Sequence, residues 1–129
     1  DSPVLCMVGD GGFAHVWSEL ETAARRKTPI VLTVLNNSCL GYQKDAEDVK
    51  FGSHTTACYF TPVDHAAIAR ASGCRGIRIE EPGDYLPALR EALDRDETTV
   101  LDVITDPEAY PPVTFFDGLD DIRKAREGD

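Results

Sequence analysis

Gly9-Asp10-Gly11-Gly12 and Asn36-Asn37 are the residues of this chain whose types and spacing suit chemistry; 24 residues separate Gly11 from Asn36. Asp10 offers a carboxylate and Asn37 an amide oxygen, while the glycines let a ligand approach the backbone closely. Oxygen donors carrying little charge suit magnesium or calcium, with phosphate and water completing the shell. Alone, either cluster reads as an ordinary turn or helix cap. Together they are more specific, because each follows an apolar run: Val4-Leu5-Cys6-Met7-Val8 feeds the first and Ile30-Val31-Leu32-Thr33-Val34-Leu35 the second. In open parallel sheets, ligands bind beyond the carboxyl ends of the strands. The pair therefore reads as a mouth for a metal ion and a diphosphate.

The elements that must position these clusters follow from periodicity. Residues 4–8 and 30–35 are apolar without alternation, as strands buried on both faces are. Between them Phe13, Val16, Trp17, Leu20, Ala23 and Ala24 form one helical stripe, so a single helix is expected over 13–26. Its N-terminus would aim free N–H groups at a phosphate. A strand, a helix and a strand joined this tightly make a right-handed βαβ unit. Residues 36–61 have little sustained periodicity, apart from a short helix around 42–48. A helix from Pro62 to about Ser72, a strand at 76–79, a helix capped by Asp84 and a strand at 99–104 follow. The class is α/β, a mainly parallel sheet flanked by helices. Residues 1–110 read as one binding domain and 111–129 as a tail, either a polar helix or a partner-binding arm.

Bulk composition removes several functions. The 129 residues carry a formal net charge of −10. Nucleic acids and anionic membranes need a basic face, so neither is expected as a partner. No apolar stretch approaches the roughly 20 residues needed to cross a bilayer. Cys6, Cys39, Cys58 and Cys74 form no CxxC pair and read as reduced thiols in a cytoplasmic protein. His54, Cys58 and His65 match no common zinc spacing. Glu19 and Glu21 read as scaffold or solvated groups rather than acids or bases. His15 reads more readily as solvated than as a cofactor contact, Trp17 as core, and His65 as a helix surface or cap residue. The start, Asp1-Ser2-Pro3, lacks Met and runs almost at once into a strand, so the chain reads as a fragment or processed piece.

Gly9-Asp10-Gly11, the 24-residue gap and Asn36-Asn37 resemble the thiamin-diphosphate motif of the decarboxylase and acetohydroxyacid synthase superfamily. The intervening Gly12-Phe13, Glu19-Leu20-Glu21-Thr22-Ala23 and Pro29 match as well, as does Val100-Leu101-Asp102-Val103-Ile104-Thr105-Asp106-Pro107. The likeness is strongest to the C-terminal, diphosphate-binding domain of the acetolactate synthase large subunit. It implies a thiamin-diphosphate-binding fold, incomplete at its N-terminus, with Mg2+ and thiamin diphosphate as cofactors. Asp10 and Asn37 resemble the side-chain metal ligands, and the backbone carbonyl of Cys39 matches the third. Gly11 and Gly12 match diphosphate contacts. Leu40 and Gly41 lie in the loop that wraps it. Tyr42 and Gln43 match positions near the thiazolium, which makes Gln43 a candidate substrate contact.

The resemblance also implies what lies elsewhere. In the family a glutamate on a separate pyrimidine-binding domain helps activate the cofactor, and nothing in this chain fills that role. Such a domain, from the same enzyme, is the expected partner, within a homo-oligomer acting on a small 2-oxo acid. The resemblance admits FAD in the full enzyme. An acetolactate synthase carries a Trp shortly after the Asn-Asn loop, where this chain has Lys44-Asp45-Ala46. Carboligase and simple decarboxylase activities both stay open, and the isolated chain is expected to be inactive. The alternative from another class is a non-catalytic, flavodoxin-like module that binds magnesium or regulates a partner.

Overall fold

A computed structural model of the chain describes residues 2–109. The tail expected at 111–129 lies outside the described residues. Four strands form one sheet: β1 (Val4–Gly9), β2 (Ile30–Asn36), β3 (Arg75–Ile79) and β4 (Thr99–Ile104). Their order is β1-β2-β4-β3 and every pairing is parallel. Five helices connect them: α1 (Asp10–Ala14), α2 (Glu19–Arg26), α3 (Gly41–Phe51), α4 (His65–Ala71) and α5 (Pro82–Leu93). The expected α/β class with a parallel sheet is the observed one.

Side chains alternate across the two central strands and so build a core on each face. Leu32, Val34 and Val100 meet Phe13 of α1, Leu20 of α2 and Ala69 of α4 on one side. Val31 and Leu101 meet Ile79 of β3 and Ala92 of α5 on the other. Gly76 allows the closest approach of helix to sheet, since a Cβ there would collide with the Ala66 carbonyl. The register aligns the carboxyl ends, pairing Gly9 with Leu35 and Asn36 with Ile104. The residues that follow, Asp10 and Asn37, thus leave the same edge of the sheet side by side.

Several expectations are corrected. β1 is an edge strand, not one buried on both faces. Val4 is 55% and Met7 61% exposed, Cys6 is exposed, and only Val8 packs on the core. Among the described residues it pairs with β2 alone, and the α5 core cluster lies against β2, β3 and β4. The single helix expected over 13–26 starts at Asp10 and is broken after Ala14. Tight i→i−3 bonds, Val16 to Phe13 and Leu20 to Trp17, carry the chain across the break. That overwinding shifts the stripe, so Val16 faces solvent while the Trp17 indole N–H reaches His65 Nδ1 at 3.2 Å. His65 is consequently buried, at 2% exposure, not a surface residue. Its helix α4 is capped one residue earlier, by Asp64 accepting from Ala67 N–H. Helix α5 begins at Pro82 after the N-cap Glu81, so Asp84 sits inside the first turn and does not cap it. The stretch 36–61 is more regular than its sequence suggests, because α3 runs for eleven residues.

Candidate functional site

Asp10 stands at the first position of α1, directly beyond β1, and is 4% exposed. Its Oδ1 accepts the Gly11 N–H at 2.8 Å. Burial pushes its carboxyl pKa up; the N–H groups of Gly11 and Ser38 and the nearby His65 oppose that rise. The opposing N–H of Ser38 belongs to the second cluster, so the two clusters meet.

That second cluster is a bent turn beyond β2. Asn37 Oδ1 accepts the Cys39 N–H at 3.0 Å, closing an Asx turn. Ser38 adopts φ of 54°, a left-handed conformation that a non-glycine residue rarely holds without support. Support comes from a short antiparallel ladder with the segment before α4. Leu40 N–H donates to the Cys58 carbonyl at 2.7 Å and Phe60 N–H to the Ser38 carbonyl at 2.8 Å. The ladder bypasses Cys39, whose carbonyl takes no hydrogen bond among the described residues. Burial pushes the Cys39 thiol pKa up, helped by Cys58, which keeps it protonated. The carbonyl, not the thiol, is therefore the better ligand.

Asp10, Asn37, Cys39, Gly41 and Tyr42 line one cleft of about 400 Å³, closed on its far side by residues 105–107. The donor set is a carboxylate, an amide oxygen and a free carbonyl, all hard oxygens that fit magnesium. At Gly11 and Gly41 a side chain would meet a neighbouring residue. A Cβ on Gly11 would lie 2.7 Å from Leu40 Cδ2, and one on Gly41 would lie 3.2 Å from Asn37 Nδ2. Gly12 is exposed, with Val8 behind it. Leu40 is 40% and Tyr42 80% exposed; Tyr42 lines the cleft, whereas Gly11, Gly12, Leu40 and Gln43 are not among its lining residues. Gln43 is exposed one step along α3, and its Nε2 donates to Glu47 Oε1 at 2.8 Å. Asp10 also lines a second cleft of about 330 Å³ with Trp17, Phe60, Val63 and His65.

The zinc spacing does not converge. His54 bonds Asp48 and Tyr59, Cys58 bonds Glu47, and His65 bonds Trp17. Among the described residues no group of three or more His, Cys, Asp or Glu is placed to hold a metal. Asp10, Asn37 and Cys39 are a different kind of set, with one carboxylate and two neutral oxygens. All four cysteines are free, and no helix among the described residues is long and apolar enough to cross a membrane.

Sequence reasoning missed three buried charged residues, Lys44, Asp45 and Asp102. Lys44 is 4% exposed and lies 3.6 to 3.8 Å from carboxylate oxygens of Asp45, Asp48 and Glu108. It thereby ties α3 to the segment after β4, the two walls of the cleft. Its neighbours converge only in space, so no spacing in the chain marks it. Asp102, fully buried on β4, accepts from Asn36 Nδ2 at 2.9 Å and from His65 N–H at 3.0 Å. A signal for Asp102 did exist. A carboxylate inside Val100-Leu101-Asp102-Val103-Ile104 has to find partners, because unpaired buried charge is prohibitive.

Three comparisons bear on this arrangement. Residues 1–103 match the family described as "Thiamine pyrophosphate enzyme, C-terminal TPP binding domain". The chain is 36% identical over 104 residues to the acetolactate synthase of Bacillus subtilis, covering 80% of this chain and 18% of that one. It is 30% identical over 128 residues to the acetolactate synthase isozyme 3 large subunit of Escherichia coli, covering 95% and 22%. Among solved structures, a thiamine diphosphate-dependent 4-hydroxybenzoylformate decarboxylase of Rhodococcus jostii superposes with a TM-score of 0.78 at 27% identity, covering 82% of this chain and 20% of that one. The chain thus spans about a fifth of the length of these relatives.

Proposed function

Because this chain belongs to the family of C-terminal, thiamine-pyrophosphate-binding domains of thiamine pyrophosphate enzymes, we propose that it is the part that anchors the magnesium ion and the diphosphate. The parent activity in this reading is decarboxylation of a 2-oxo acid, ligation of the resulting two-carbon unit, or both. Bound thiamin diphosphate supplies the electron sink for cleaving the bond beside the 2-oxo acid's carbonyl. This chain's residues bind and orient. Asp10, Asn37 and the Cys39 carbonyl hold the metal, and the metal offsets the diphosphate charge in a chain of net charge −10. Gly11, Gly12, Leu40 and Gly41 surround the diphosphate, and Tyr42 and Gln43 stand toward the substrate. No residue here takes the place of the activating glutamate, so a pyrimidine-binding domain completes the site within a homo-oligomer, and the chain alone is inactive.

The observation that carries the reading is the single cleft shared by Asp10 and the Asn37–Cys39 turn at the carboxyl edge of a parallel sheet. Titration calorimetry tests it. Thiamin diphosphate is expected to bind only with magnesium, and Asp10→Ala or Asn37→Ala to abolish that binding. Magnesium binding with no preference for the cofactor would instead favour a non-catalytic metal-binding module.

A further inference from the structure

Asp102 contributes to neither cleft, yet it is a fully buried junction between segments that flank them. Its Oδ1 takes the Asn36 Nδ2–H at 2.9 Å. Asn36 Nδ2 also donates to the Val63 carbonyl at 2.9 Å, which leaves Asn36 Oδ1 facing the turn, where it accepts from Ser38 N–H and Ser38 Oγ. Asp102 Oδ2 takes the His65 N–H at 3.0 Å, pinning the start of α4. The His65 ring in turn packs edge-on against Phe13 of α1, with centroids 5.5 Å apart, and accepts from Trp17. Arg78 Nη1 on β3 supplies the cation, 3.3 Å from Oδ2.

We propose that Asp102 is a positioning residue for the metal and diphosphate site, orienting the Asn37 turn through Asn36 and the Asp10 helix through His65. This rests on the reading of the cleft as a cofactor anchor. The chemistry requires an acceptor at both oxygens, because each faces a donor. An asparagine at this position presents one NH2 to either Asn36 Nδ2–H or His65 N–H. In the first case Asn36 must flip its amide, and the Ser38 N–H and hydroxyl lose the Asn36 oxygen that accepts from them. In the second, α4 loses its anchor. Groups that orient ligands in this way typically cost roughly 10- to 100-fold in metal affinity when removed.

The test compares the 129-residue parent with Asp102→Asn and with Ile79→Val, a core change on the opposite face. Amide hydrogen exchange is read at Ser38 and His65, magnesium-dependent thiamin diphosphate binding by calorimetry, and the thermal midpoint by circular dichroism. In Asp102→Asn, exchange is expected to accelerate at Ser38 or His65 and affinity to fall by roughly 10- to 100-fold. Ile79→Val should lower the midpoint while leaving affinity within about twofold of the parent. A merely structural role predicts the same behaviour from both variants, so parental affinity and protection in Asp102→Asn would overturn the proposal. Should that variant not fold, Asn36→Ala decides the same question: Ser38 is expected to exchange faster with His65 still protected, and unchanged affinity refutes the link. If the parent itself shows no magnesium-dependent affinity, the functional reading fails. The exchange data then still decide whether Asp102 holds the two segments.

Discussion

Asp10 carries a carboxylate that burial makes costly to ionise. Its buried carboxyl has a pKa above the ordinary aspartate range, mainly through desolvation. The folded state therefore holds a proton in a window where the unfolded chain has released it. Stability falls as pH rises through that window, and the penalty is fully present above it. Asp10→Asn removes the ionisation and keeps an oxygen for Gly11 N–H. It is expected to stabilise the metal-free chain at neutral pH and to give no gain below the ordinary aspartate range. Urea titrations at both pH values check this; equal shifts at the two would refute it. The placement of Asp10 and Asn37 was legible in the sequence because strand periodicity put both at one edge of the sheet, where they line one cleft. Asp102 and Lys44 were not singled out, since their roles depend on donors and acceptors far away in the chain.

Among the elements, the β2–β4 pair and the helix-to-sheet packing give the site its rigidity. Strands at 30–35 and 99–104 were readable from their apolar runs, and both appear within a residue of expectation. The break between α1 and α2 was not, because the stripe through Val16 and Trp17 is continuous on paper. It breaks where Trp17 gains a hydrogen bond to His65, 48 residues away. Gly76 is the position where element packing is most exacting. Gly76→Ala would press a methyl group into the Ala66 carbonyl, forcing α4 off β3. Overpacking of this kind costs about 3 kcal/mol. The expected result is a lower midpoint in urea with an unchanged slope, and a loss below about 1 kcal/mol would show that α4 can slide.

At the scale of the whole molecule, β1 carries exposed apolar side chains among the described residues. Val4, Leu5 and Met7 stand 48% to 61% exposed on a strand with one paired edge. Unpaired edges with apolar side chains recruit other strands. The chain is expected to self-associate in sedimentation velocity, and Leu5→Lys with Met7→Lys to suppress it. A clean monomer of the parent at high concentration would count against this. Residues 4–8 look like a central strand because the run is apolar without alternation, and periodicity alone does not reveal whether a neighbour pairs with its outer edge.

The oxygen donors, the glycines, the parallel α/β class and the order of most elements could be read from local composition and period, since each depends on neighbours a few residues apart. Which strand is an edge, where a helix breaks, and which groups partner a buried carboxylate are properties of long-range contact. They were settled only when the fold brought Asp102, Asn36, His65 and Trp17 together.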